Sequence, residues 1–201
     1  MNSALDVSRE TKERLEVYAE LLRKWNPKIN LVSKATIEDL WWRHIEDSAQ
    51  VYGLVPHPVD HWADIGSGGG FPGLVVAIIA LERGSPQRTT LVESDSRKCA
   101  FLRTVIRETG ANASVLNDRI EALPPMGVNV LSARALGSLD LLLSFAERHL
   151  GDGGTAIFPK GVNWEKELLE AQSKWNFKYE LVKSKTESGP VIMKIAGVSR
   201  A

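Results

Sequence analysis

Four glycines in five positions, Gly66-Ser67-Gly68-Gly69-Gly70, follow directly on Asp64-Ile65 and run into Phe71-Pro72-Gly73. A glycine-rich turn between a strand and a helix lets the backbone adopt positive φ and come close to a ligand, while the amides opening the helix face it. Pro72 suits the first turn of that helix. A bare G-x-G is also an ordinary tight turn, but two acids sharpen the reading. Asp64 stands just ahead of the loop, and Glu93 closes Thr90-Leu91-Val92-Glu93, where a carboxylate can accept hydrogen bonds from both hydroxyls of a ribose. Asp95 is a fallback ribose ligand that more naturally belongs to the first turn of the next helix.

Those residues point to a nucleoside cofactor. Dinucleotide fingerprints place glycines as G-x-G-x-x-G to seat a pyrophosphate, and here the third fingerprint position is Phe71. Gly66, Gly68 and Gly70 instead suit a cofactor with an amino-acid tail, S-adenosylmethionine, whose ammonium Asp64 would approach directly or through water.

The elements that position the loop show two rhythms. Up to about Gly53 the signals are helical. Ser8 is a cap, with Glu10 in the first turn; Leu15, Tyr18, Leu22 and Trp25 then recur at helical spacing until Asn26-Pro27 ends the run. Thr36 caps a second helix with Glu38 and Asp39 in its first turn, Trp41, Ile45, Ala49 and Tyr52 on one face, and Gly53 at its stop. The stiff Val55-Pro56-His57-Pro58 then joins two parts, a helical extension over 1–55 and a domain over 56–201.

From His61 the pattern is strand, helix, strand. The β-rich runs are Trp62–Ile65, Thr89–Glu93, Ser114–Leu116, Val128–Ser132 and Thr155–Phe158. Helical stretches cover Pro72–Glu82, Ser96–Thr109, Ser138–His149 and Asn163–Trp175, with Gly110 and Gly151 as stops. This alternation predicts an α/β fold with a mostly parallel sheet between helices. The last strands, Tyr179–Lys183 and Val191–Ile195, are separated only by Ser184–Pro190. That is too short for a parallel crossover, so the sheet is expected to close in an antiparallel hairpin, a habit of methyltransferase folds.

Composition bounds the rest. The 201 residues, 43% hydrophobic and 25% charged, make a globular chain with a core. One cysteine, Cys99, excludes an internal disulfide and suits a reducing cytoplasm. Cys99 aligns with Leu102 and Ile106 at helical spacing, so it reads as core and not as a nucleophile. The start lacks a signal peptide, and the longest apolar run, Leu74 to Leu81, is well short of the about 20 residues that span a bilayer, so a soluble cytoplasmic protein is expected. His44, His57, His61 and His149 form no ligand pattern, and no metal is expected. With 25 basic and 25 acidic residues, nucleic acid would have to be gripped by basic residues gathered on one face. No long apolar stripe is left over, which suits a monomer.

Motifs spread from residue 25 to 161 resemble one family. They are Trp25-Asn26 with Asn30-Leu31, His44-Ile45-Glu46-Asp47-Ser48, the loop from Asp64 to Gly73, and Lys98 with Phe101-Leu102. Further on come Arg119-Ile120-Glu121, Ser132-Ala133-Arg134-Ala135 and Lys160-Gly161. Together they are similar to the bacterial 16S rRNA guanine-N7 methyltransferases, the RsmG/GidB family. The resemblance implies a class I S-adenosylmethionine methyltransferase (Rossmann-like) fold with a helical N-terminal extension. It also implies cofactor contacts at Gly66, Phe71, Ile120, Glu121 and Arg134, and a guanosine of 16S rRNA in the small ribosomal subunit as substrate. Two departures stand out: the acid after the second strand is usually aspartate in that family and is Glu93 here, and the usually apolar position two residues on is Asp95.

Guanine N7 carries no proton and faces the major groove, so its methylation needs alignment and no general base. His44, Asp47 and Ser48 fall at i, i+3 and i+4 of a helix and are either a polar tie to the core or substrate contacts at the pocket mouth. Arg134 ends the fourth strand, overlooking the cofactor cleft, and is a positioning candidate. Lys160, Arg97 and Lys98 are candidates for RNA contact; the other lysines and arginines near them read mostly as solvated faces. Of two adjacent tryptophans, Trp41 belongs to an apolar face, and Trp42 is open between packing and base stacking. Two other readings stay in view: a small-molecule or protein methyltransferase on the same fold, and a nucleoside-binding regulator without catalysis.

Overall fold

A computed structural model describes residues 5–186 and 189–201. Seven strands form one sheet in the order β3-β2-β1-β4-β5-β7-β6. They are β1 His61–Ile65, β2 Arg88–Val92, β3 Ala113–Leu116, β4 Val128–Ser132, β5 Leu150–Lys160, β6 Trp175–Lys183 and β7 Val191–Arg200. The first five pair in parallel, and β7 lies antiparallel between β5 and β6. The expected class I architecture is therefore present, with its closing hairpin; of the Ser184–Pro190 connection, Glu187 and Ser188 lie outside the described residues.

The helices sort by core. On one face α1 (Arg9–Ile29), α3 (Gly73–Arg83) and α4 (Ser96–Thr109) share a cluster that includes Leu15, Tyr18, Leu22, Leu74, Ile78 and Phe101. On the other, α5 (Leu139–His149) and α6 (Trp164–Gln172) pack on Leu131, Phe158 and Met193. The apolar run from Leu74 to Ala80 is buried throughout, because α3 is covered by the sheet on one side and by α1 on the other. Gly73 permits that approach: a Cβ there would stand 2.4 Å from Leu91 Cδ2 and 2.6 Å from Asp64 Cβ.

Several boundaries differ from expectation. Helix α1 does not stop at Asn26-Pro27 but continues to Ile29. Proline forfeits one intrahelical bond, and the last turn is closed by Asn30, at φ 49°, whose N–H donates to the Asn26 carbonyl. The Asn26 Oδ1 accepts from Leu31 and Val32 amides, at 2.7 and 2.9 Å, and ties down the exit. Thr36 caps no helix. It ends a single 3₁₀ turn, Lys34–Thr36, and the chain re-enters a helix as a π turn, Trp41–Glu46, that passes into α2 (Asp47–Tyr52). Gly53 closes α2 in a right-handed conformation, φ −76°. Gly151 is not a stop either. Leu150 passes directly from α5 into β5, and Gly151 lies in the strand, where a Cβ would meet the Gly127 carbonyl at 3.0 Å. Trp175, expected in the last helix, opens β6.

Candidate functional site

A cavity of about 380 Å³ opens beyond the C-terminal ends of β1 and β2, lined by Gly66, Gly68, Glu93, Lys98, Ile120 and Glu121, among others. This is the crevice where parallel α/β sheets hold ligands. Glu93 follows β2 and is nearly buried, at 8% exposure. Its Oε2 accepts the Gly68 amide and its Oε1 the Asp95 amide, both at 2.8 Å. The carboxylate that faces the cavity is thereby pinned to the loop. Asp95 is committed elsewhere: it caps α4, accepting the Arg97 amide at 2.8 Å and pairing with the Arg97 guanidinium at 2.9 Å. Those hydrogen bonds hold its carboxyl well below the usual range. Arg97, exposed and so paired, lies outside the cavity lining. Gly66, at φ 63°, takes a conformation that side chains rarely adopt, and a Cβ there would run into Leu136.

Asp64 lies beneath this floor, fully buried. The β1–β4 register sets it opposite Ser132, whose hydroxyl donates to Asp64 Oδ1 at 2.7 Å and accepts the Trp62 indole N–H at 2.9 Å. Asp64 Oδ2 is buried without a partner. Burial pushes the carboxyl up to about 6, against the Ser132 hydroxyl that lowers it. The expected approach of Asp64 to a ligand is therefore not open in this arrangement. It supports the loop from below, and its open lone pairs favour a cationic group arriving above.

A second cavity, about 280 Å³, shares Ala135 with the first as a lining residue. Its walls include Thr36, Arg43, His44, Asp47, Arg134 and Lys160. Arg134 donates to His44 Nδ1 at 2.8 Å and pairs with Asp47 at 3.7 Å. Because Nδ1 accepts from an arginine, the ring proton sits on Nε2, which donates to Thr36 Oγ1 at 2.9 Å. Burial, reinforced by Arg134 and Arg43, pulls the His44 pKa down to about 3, so the imidazole is neutral at any working pH. Lys160, 9% exposed, pairs with Glu167 at 2.7 Å and donates to the Gly137 carbonyl at 2.9 Å. It holds the loop beyond Arg134 to α6, so its expected phosphate contact is limited to one remaining N–H.

Phe71 packs behind the walls, between the glycine loop and the His44–Arg134 pair. Its ring stacks on His44 at 5.0 Å and on Tyr18 at 5.2 Å, and the Arg134 guanidinium lies 4.8 Å from its centre. Tyr18, on α1, donates its hydroxyl to the Gly69 carbonyl, so the helical extension grips the glycine loop. Burial raises the Tyr18 pKa well above its ordinary value, and the phenol stays a donor.

The expected residues thus divide. Gly66, Gly68, Glu93, Ile120, Glu121 and Lys98 line the first cavity. His44, Asp47, Arg134 and Lys160 line the second. Gly70 and Phe71 brace the loop, and Gly70 lies against Tyr18 and Leu74. Ser48 does not join His44 and Asp47: it is 1% exposed and its hydroxyl has no partner. Cys99 is core, as expected, its thiol 3.1 Å from the Glu93 carbonyl. Tyr18, Ser132, Thr36 and Glu167 carry no sequence signal of the roles they take here; only Ser132 lies in one of the family motifs.

The family described as rRNA small subunit methyltransferase G matches residues 11–192. The chain belongs to the rRNA small subunit methyltransferase G family. A protein of that name from Ruegeria sp. (strain TM1040) is 57% identical over 199 residues, covering 99% of this chain and 97% of the relative. Another, from Ruegeria pomeroyi, is 56% identical over 98% of this chain and 97% of its own length. Among solved structures, a SAM dependent methyltransferase from Aquifex aeolicus aligns with a TM-score of 0.59 at 13% identity, over 89% of this chain and 98% of that one. That likeness concerns the fold alone. The family match spans every motif from Trp25 to Gly161.

Proposed function

We propose that the chain transfers a methyl group from S-adenosylmethionine to N7 of a guanosine in 16S rRNA, within the small ribosomal subunit and as a single copy. The observation that carries the reading is a pair of cavities sharing Ala135 in their walls in a member of this family. The cofactor fits the first: Glu93 offers a carboxylate at the cavity wall for ribose hydroxyls, and Gly66 and Gly68 offer backbone at close range. Ile120 and Glu121 hold the base end, and the buried, part-satisfied Asp64 favours the ammonium tail.

Bound there, S-adenosylmethionine supplies a methyl group on a positively charged sulfur. The chain's own residues need only align the acceptor, since N7 has no proton to lose. A His44 that is neutral near pH 7 and a weak base is compatible with that requirement. Arg134, fixed between His44, Asp47 and Phe71, keeps the wall beside Ala135 in place. Residues 1–55 give Thr36, Arg43, His44 and Asp47 to the substrate side, while 56–201 give it Arg134 and Lys160 and build the cofactor side; Tyr18 ties the two stretches together.

The test is methylation of small-subunit particles from cells lacking this protein, with labelled cofactor and nucleoside mass spectrometry. Label in 7-methylguanosine supports the reading; label in any other nucleoside, or none, overturns it.

A further inference from the structure

Trp42 is a large apolar side chain left 45% exposed. It lies outside the lining of the second cavity but is bonded to a residue of that lining. Its indole N–H donates to the Thr186 carbonyl at 3.0 Å, and the Thr186 hydroxyl donates to Asp47 Oδ1 at 2.8 Å. Thr186 and Arg43, the residue following Trp42, both line the cavity. Trp42 and Asp47 are five positions apart, and so are Trp41 and Glu46, whose side chains bond at 3.1 Å. That spacing shares a face in a π turn, and such turns concentrate at functional sites.

The Trp42 ring is therefore neither buried nor free to swing, because its one polar atom is already bonded. An exposed aromatic plane fixed before its ligand arrives gives up little freedom on binding. Unpaired bases stack on such planes whatever their identity, since every base has a π face. We propose that Trp42 stacks an unpaired nucleobase flanking the target guanosine, holding the RNA while the guanine occupies the cavity. This rests on the RNA-methylating reading above.

The experiment measures particle methylation at saturating cofactor for wild type, Trp42→Phe, Trp42→Leu and Trp42→Ala. Stacking predicts a KM for particles about tenfold to a hundredfold higher in the Leu and Ala variants. It predicts kcat and cofactor Kd within about twofold, and Trp42→Phe, which keeps a π face but loses the N–H, within about threefold of wild type. If Trp42→Phe falls with Trp42→Leu, the ring only anchors Thr186 and the proposal is overturned; unchanged KM in all variants overturns it as well. Photocrosslinking from Trp42→p-benzoylphenylalanine should mark a nucleotide adjacent to the methylated guanosine, and a crosslink to ribosomal protein or distant RNA would overturn it. Failure of the wild type to methylate particles would instead sink the underlying reading.

Discussion

The two cavities that share Ala135 are built in different ways. The cofactor side is built around glycine backbone and the carboxylates of Glu93 and Glu121, drawn from strand ends and the loops after them. The substrate side is mostly charged and polar side chains, drawn from four separate stretches around Thr36–Asp47, Arg134, Lys160 and Thr186. A backbone site tolerates surface change but not a Cβ; a side-chain site keeps its walls only while every ion pair and hydrogen bond stays matched. Single substitutions should therefore move one binding constant and leave the other.

The largest separation is expected from Glu93→Ala. Losing charge-assisted hydrogen bonds to a ribose, about 3 kcal/mol in all, should weaken cofactor binding about a hundredfold by calorimetry. An equal loss in particle binding would dissolve the distinction between the cavities. Next is Asp64, whose carboxyl is raised to about 6 by burial. Its folded pKa lies above the unfolded one, so the native state holds the proton more tightly and stability falls as pH rises from about 4 to about 6. Over about two pH units this amounts to about 3 kcal/mol. Asp64→Asn should lack that slope, so urea unfolding of both proteins should show their difference shifting in the variant's favour by that amount between about pH 4 and pH 7. A pH-independent difference would mean that the carboxylate is not confined as described.

Asp47→Ala removes the partner of Arg134 and the acceptor for Thr186. It should lower kcat/KM for particles about thirtyfold, or about 2 kcal/mol, with cofactor Kd within about twofold. The smallest effect belongs to Tyr18→Phe, which deletes one hydrogen bond to Gly69 across the boundary between the parts. About 1 kcal/mol of stability should go, with a few-fold rise in cofactor Kd and no change in particle KM. A larger effect on particles than on cofactor would place Tyr18 on the other side of the comparison.

The same contrast explains what was legible in the sequence. The cofactor side is written in short contiguous runs whose spacing follows strand and helix periods, so the loop, Glu93, the sheet and the closing hairpin could all be read. The substrate side depends on a π turn over Trp41–Glu46 that no local signal announces. One extra residue in a turn rotates every later side chain of the helix by about 100°. That is why Ser48, placed beside His44 and Asp47 on α-helical spacing, faces the core. The apolar face of α1 was legible, but not that the Tyr18 hydroxyl reaches Gly69, 51 residues away. Asp64 was found as an acid before the loop, yet its distance from open space is set by the register with Ser132.

The reversed strand β7 lies inside the sheet, between β5 and β6, although it is the last of the seven in chain order. During synthesis, the strands and loops that frame the cofactor cavity emerge first and can pair with one another. The connection carrying Thr186 has no place to settle until β7 slots in beside β5. The substrate-side wall is therefore complete only once β7 has inserted between β5 and β6.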